Sequence, residues 1–222
     1  SRNNSIWAQQ AYVKASNTGL QDRFGSTVAL SGDGDTLAVG AHFEDSAATG
    51  INGQLSDDPL TEHSGAVYGD SRNNSAWTQQ AFVKASNTDR FDQFGGGSPH
   101  RTLSKHATNI SLSADGNTLA VGAFTESSDA TGINGNEASN LLEASGAVFV
   151  FSRSGSAWAQ AAYVKASNTD RSDQFGKSAA LSGDGNTLAI GAFVENSDSL
   201  GIDGDQADRD IGGSGFGAVY LY

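Results

Sequence analysis

Carboxylates crowd one late stretch of the chain. Glu195, Asp198, Asp203, Asp205, Asp208 and Asp210 fall together, and Asp203-Gly-Asp205-Gln-Ala-Asp208 places acids at positions one, three and six. Calcium collects six to eight oxygens from such loops. Asp198, Asp203, Asp205 and Asp208 are therefore the expected calcium ligands. The matching positions earlier in the chain hold Asn134 and Asn136, then Asn52 and Gln54, whose amide oxygens bind calcium more weakly. A solvated acidic loop accounts for the same residues without a metal. Trp7, Trp77 and Trp158 are candidates for stacking on a sugar, although rings that recur at one place also serve packing. His100 and Arg101, with Lys105 and His106, form a basic group in an acidic chain. They read as a ligand loop or as a tolerated surface insertion. His42, His63, His100 and His106 show no zinc spacing, and cysteine is absent. Lys14, Lys84 and Lys165 are expected on an outward face, where they favour solubility.

These side chains are positioned by three copies of one unit. Trp7 to Phe24, Trp77 to Phe94 and Trp158 to Phe175 are each 17 positions apart. Repeats appear at about 1–70, 71–151 and 152–222, within a single domain spanning 1–222. Each copy begins with an alternating stretch such as residues 7–15, which predicts a half-exposed strand. Phe-Gly opens a second strand. A Ser-Gly/Ala-Asp-Gly turn leads to a return strand, Leu37–Ala41 in copy one, and Asp-Gly predicts a tight two-residue hairpin. A long polar loop follows at 44–64, about 126–145 and 195–214. Loops of this length are uncommon in compact domains and often functional. Each carries Gly-Ile-x-Gly, and Gly-Ala-Val-aromatic then opens the last strand of each copy. In copy one Tyr68-Gly69-Asp70 predicts that this strand ends early.

The unit is therefore four short antiparallel strands, with no 3.6-residue periodicity. Such units in tandem predict an all-β β-propeller of four-stranded blades; a β-sandwich of some twelve strands is the alternative. Three blades fall short of the four to eight of a propeller. A homodimer would supply six; a longer array or an open arc would also account for the count. Copy two is interrupted: Phe94 to Asp115 is 21 positions, against nine in the other copies.

Composition narrows the partners. The formal charge of −12 argues against nucleic acid or an anionic membrane, and no apolar run suits membrane insertion. The 28 glycines and 2 prolines fit many tight turns. The lack of methionine is expected of a processed or excised chain. No Gly-x-Ser-x-Gly elbow or phosphate loop is present. A carboxylate pair acting as a glycoside hydrolase is the weaker enzymatic alternative.

Phe-Gly, then Val-Gly-Ala, then Gly-Ala-Val-Tyr resembles the FG-GAP repeats of integrin-like β-propellers, and the tandem form resembles that of bacterial extracellular proteins. The resemblance covers essentially the whole chain. It implies that Phe-Gly starts the innermost strand, that Gly-Ala-Val-Tyr is the third and that the Trp-to-Lys segment is the outer fourth. The N-terminal segment would then complete the last blade. It also implies an extracellular or cell-surface module for adhesion, binding a protein or glycan, with calcium assisting. The alternative is a structural module for self-assembly. Two features depart from the family pattern. His42, Phe124 and Phe193 stand where a proline is usual, and the Asp-Gly turn offers too few oxygens for the family's calcium loop.

Overall fold

A computed structural model describes residues 2–3, 6–96, 108–207 and 215–222. The described residues are all-β apart from one 3-10 turn at Pro59–Thr61. A short N-terminal hairpin, β1 (Arg2–Asn3) and β2 (Ile6–Trp7), precedes three antiparallel sheets. Sheet 1 has the order β3 (Thr27–Leu30), β4 (Thr36–Ala41), β5 (Ala66–Asn73), β6 (Ala76–Val83). Sheet 2 repeats it with β7 (Ile110–Leu112), β8 (Thr118–Ala123), β9 (Ala147–Ser154) and β10 (Ala157–Val164). Sheet 3 has three strands, β11 (Phe175–Leu181), β12 (Leu188–Ala192) and β13 (Ala218–Leu221). Sheet 1 packs on sheet 2, and sheet 2 on sheet 3.

The second strands explain the packing. Leu-Ala-Val-Gly-Ala has no polar alternation because both of its faces are covered, and β4 and β8 are buried almost throughout. Small residues let neighbouring sheets approach closely: a Cβ added at Gly122 would lie 2.1 Å from the Gly176 carbonyl of the next sheet. Phe-Gly is the joint. Each phenylalanine ring meets an aromatic on the third strand of a sheet, at 5.3 Å for Phe24–Tyr68, 5.5 Å for Phe94–Phe149 and 5.3 Å for Phe175–Tyr220. The backbone N–H groups of Phe94 and Phe175 reach back to the preceding sheet, donating to Ser64 O at 2.9 Å and Ser145 O at 3.0 Å.

Four expectations need correction. Residues 8–15 are outside any strand, and no strand of this chain follows β13 among the described residues, so the N-terminal segment does not complete sheet 3. The Asp-Gly turns are four-residue loops rather than two-residue ones. Ser31 N bonds Thr36 O, and Gly34 takes a φ of 75° while Asp33 does not take a positive φ. Asp33 instead uses its carboxylate to hold Ser31 Oγ and Asp35 N, at 2.6 and 2.9 Å. The third strand of copy one does not end early: β5 is as long as β9, and Gly69 pairs with Ala81 of β6 within it. Finally, Lys84 and Lys165 are not outward: both are 0% exposed.

Candidate functional site

Alternating strand direction puts the long loops and the connections between sheets at one end of the molecule. That loop-rich end is organised by a buried glutamate three residues after each Gly-Ala. Glu44 accepts from Asn17 Nδ2 at 3.0 Å, from Ser46 Oγ at 3.0 Å and from Lys84 Nζ at 2.9 Å. Glu126 accepts from Asn87 Nδ2 at 2.9 Å, from the Tyr163 hydroxyl at 2.9 Å and from Lys165 Nζ at 2.8 Å. The lysine directly follows the outer strand of the same sheet, whereas the asparagine comes from the connection entering that sheet. Each glutamate thus ties two successive segments of the array together. Lys84 also donates to Ser64 Oγ, and Lys165 to Ser145 Oγ and Ser128 O. Burial pulls both lysines below the usual ammonium range, and the paired glutamates partly offset it. A buried charge is tolerated only when paired and hydrogen-bonded, which is why protein acceptors surround each Nζ.

Glu195 is the third of the series. It is 1% exposed and accepts from Asn168 Nδ2 at 3.0 Å, Ser197 N at 3.1 Å and Ser197 Oγ at 3.0 Å. Among the described residues no lysine or arginine pairs with it. Lys14, the counterpart of Lys84 and Lys165, is exposed.

The Gly-Ile-x-Gly segments have a definite task. Asn52 N donates to Phe82 O at 2.8 Å, and Asn52 Oδ1 accepts from Phe82 N at 2.9 Å. Asn134 does the same with Tyr163, at 2.7 and 3.0 Å. Gly50 and Gly132 accept from Lys84 N and Lys165 N, each at 2.8 Å. The segment therefore brackets the free side of the outer strand. Asparagine suits the place because it tolerates the observed φ of 55–56° and supplies the acceptor.

The expected site residues are scattered. Trp7 is 78% exposed on the N-terminal hairpin; Trp77 is half-buried, 5.7 Å from the Arg72 guanidinium; Trp158 is 8% exposed, 5.3 Å from Arg153. His100, Arg101 and Asp208 lie outside the described residues. Asp203 matches Asn52 and Asn134 and shares their backbone, with φ of 55°. Asp205 Oδ1 accepts from Ala207 N at 3.0 Å, closing its own turn. Among the described residues no three acidic, histidine or cysteine side chains converge as a metal-binding group. The Lys–Glu pairs escape a strand-by-strand reading of the sequence, although the signal is present: a glutamate and a lysine recur at fixed places in all three copies.

Residues 7–68 match a family model described as the FG-GAP repeat. That segment is an FG-GAP repeat. The matched segment runs from Trp7 to Tyr68, and the later two copies carry the same joints, turns and glutamates. No curated protein matched the chain. Among the described residues no helix is long and apolar enough to cross a membrane.

Proposed function

We propose that this chain is an extracellular, integrin-like β-propeller module of FG-GAP repeats for binding or adhesion, and that its loop-rich end takes a protein ligand. The observation that carries the reading is a recurring exposed apolar side chain on that end. Leu60 and Leu141 occupy the same position in successive long loops, five residues before Gly65 and Gly146, and both are exposed, as is Phe91 on the connection between sheets 1 and 2. Exposed apolar groups set in a polar surround are a mark of interaction sites. Polar contacts hold these loops in place: Arg90 pairs with Glu62, and Arg171 Nη1 with Glu143 at 3.0 Å. A glycan ligand would instead draw on Trp7, the most open of the three indoles.

The test is binding of the labelled chain to immobilised extracellular proteins and to a glycan array, with Leu60→Asp/Leu141→Asp and Trp7→Ala compared. Loss of protein binding in the leucine double variant alone is expected. Retained protein binding in that variant would overturn the assignment of the surface.

A second reading is self-assembly into a homo-oligomer. It is favoured by the three-stranded sheet 3, in which β13 pairs on one side only among the described residues. Exposed strand edges invite pairing with another chain.

A further inference from the structure

The two ends of the three-sheet array expose positions whose counterparts are buried between the sheets. On sheet 1, Val28 is 65% exposed, while its counterparts Ile110 and Ala179 are buried by the preceding sheet. On sheet 3, Val219 is 70% exposed, while Val67 and Val148 are fully buried by the following sheet. Backbone groups repeat the pattern. Phe94 and Phe175 donate to the preceding sheet, and among the described residues no such bond reaches Phe24. A Cβ at Gly95 or Gly176 would collide with the preceding sheet, whereas one at Gly25 meets nothing.

The N-terminal segment sits where an outer strand of a preceding sheet belongs. Arg153 of sheet 2 donates to Gln80 on the outer strand of sheet 1, at 3.2 Å. Arg72 of sheet 1 donates in the same way to Gln10, the counterpart of Gln80, at 3.1 Å. Gln10 and the buried Ala15 thus touch sheet 1, Ala15 packing beside Tyr68 and Phe82, while most of residues 7–14 are exposed; sheet 3 lies at the other end of the array. Their Lys14 is exposed, and buried Glu195 of sheet 3 has no cation partner among the described residues.

We propose that a second copy of this chain inserts its residues 7–15 between β13 and the Gly201–Asp203 segment, as the outer strand of sheet 3, and that Lys14 of the partner subunit closes the ion pair on Glu195. The register follows from the other sheets. Val67 faces Val83 and Tyr68 faces Phe82; Val148 faces Val164 and Phe149 faces Tyr163. Val219 accordingly faces Val13 of the partner subunit, and Tyr220 faces Tyr12 of the partner subunit. Asp203 takes the role of Asn52 and Asn134, its carboxylate accepting from the backbone N–H of Tyr12 of the partner subunit. Each copy gives one strand and receives one, and a head-to-tail contact of this kind closes into a ring when the rotation allows it; two copies bring six sheets. Six sheets lie within the range of four to eight found in propellers, and three copies would exceed it.

The proposal rests on the self-assembly reading and refines it to named residues. Light scattering over a concentration series should give twice the 22.8 kDa chain mass. Lys14→Glu should weaken the pairing at least ~100-fold, because it sets two carboxylates against each other in a buried site. Lys14 is exposed in the single chain, so the circular dichroism of that variant should match the parent. The chain has no cysteine, so Val13→Cys/Val219→Cys, oxidised, should form disulfides between chains; directly opposed Cβ atoms lie about 4.5–5.5 Å apart. Gln9→Cys/Val219→Cys should not. A dimer indifferent to Lys14→Glu and without the disulfide would overturn this docking and leave self-assembly standing. A monomer at every concentration would overturn both. A disulfide formed within one chain of the Val13→Cys/Val219→Cys variant would overturn the exchange between copies in favour of closure in cis.

Discussion

Lys165→Met tests the central packing argument. Methionine keeps much of the lysine stem and removes Nζ, with its bonds to Glu126 at 2.8 Å, Ser128 O at 2.9 Å and Ser145 Oγ at 2.8 Å. Glu126 then stays buried as an unpaired carboxylate. Breaking a buried pair by removing one partner costs about 3–5 kcal/mol. Here the lower bound applies, because Asn87, Tyr163 and the Ser128 backbone still donate to Glu126. A loss of about 3 kcal/mol corresponds to a melting temperature lower by roughly 6–12 °C in a chain of this size. Urea denaturation followed by circular dichroism measures the loss directly. Adding Glu126→Gln removes the orphaned charge, so the double variant should lose clearly less than the two single losses combined. A loss under about 1 kcal/mol for Lys165→Met, the scale of an exposed pair, would refute the claim that these pairs anchor the outer strands.

Trp158 and Trp7 should separate packing from surface. Trp158→Ala should cost about 3–5 kcal/mol through the cavity it leaves, whereas Trp7→Ala should leave the thermal midpoint of the single chain unchanged; similar melting shifts in both would refute the contrast. Asp92 gives a pH signature. Burial, reinforced by the Glu126 charge, raises its pKa well above the usual carboxylate value. The folded state therefore holds this proton more tightly than the unfolded chain does. The stability it contributes is full below the ordinary aspartate pKa near 3.8 and is lost as pH rises through the raised value. Asp92→Asn should remove that part of the pH dependence and gain relative stability at neutral pH, as read from denaturation at a series of pH values. An unchanged pH profile would show that Asp92 is not its source.

Much of the fold is legible in the sequence because repetition amplifies local signals. Leu-Ala-Val-Gly-Ala and Gly-Ala-Val-aromatic each predict a strand, and their recurrence at matching intervals predicts a common pairing order, which β3–β6 and β7–β10 follow. The Asp-Gly pairs mark the right turns but not their length. The choice between a two-residue and a four-residue loop depends on Ser31 and its counterparts exchanging bonds with the Asp side chain. The tryptophans are equivalent as letters and unequal in space, since Trp158 has a preceding sheet to pack on and Trp7 does not.

The charged positions divide most clearly between what sequence determined and what tertiary structure decided. Sequence determined that a glutamate, a lysine and an asparagine recur in every copy, and alternation alone assigned Lys84 and Lys165 to a solvated face. Only the packed sheets bring the long loop over the outer strand, closing water away from the ammonium and forcing it to pair. The same packing gives asparagine at Asn52 and Asn134 a backbone-capping role. It also decides that Lys14, in a closely similar local sequence, is exposed in the single chain. A charge is solvated or paired according to what covers it, and for Lys84 that cover includes Glu44, forty positions away.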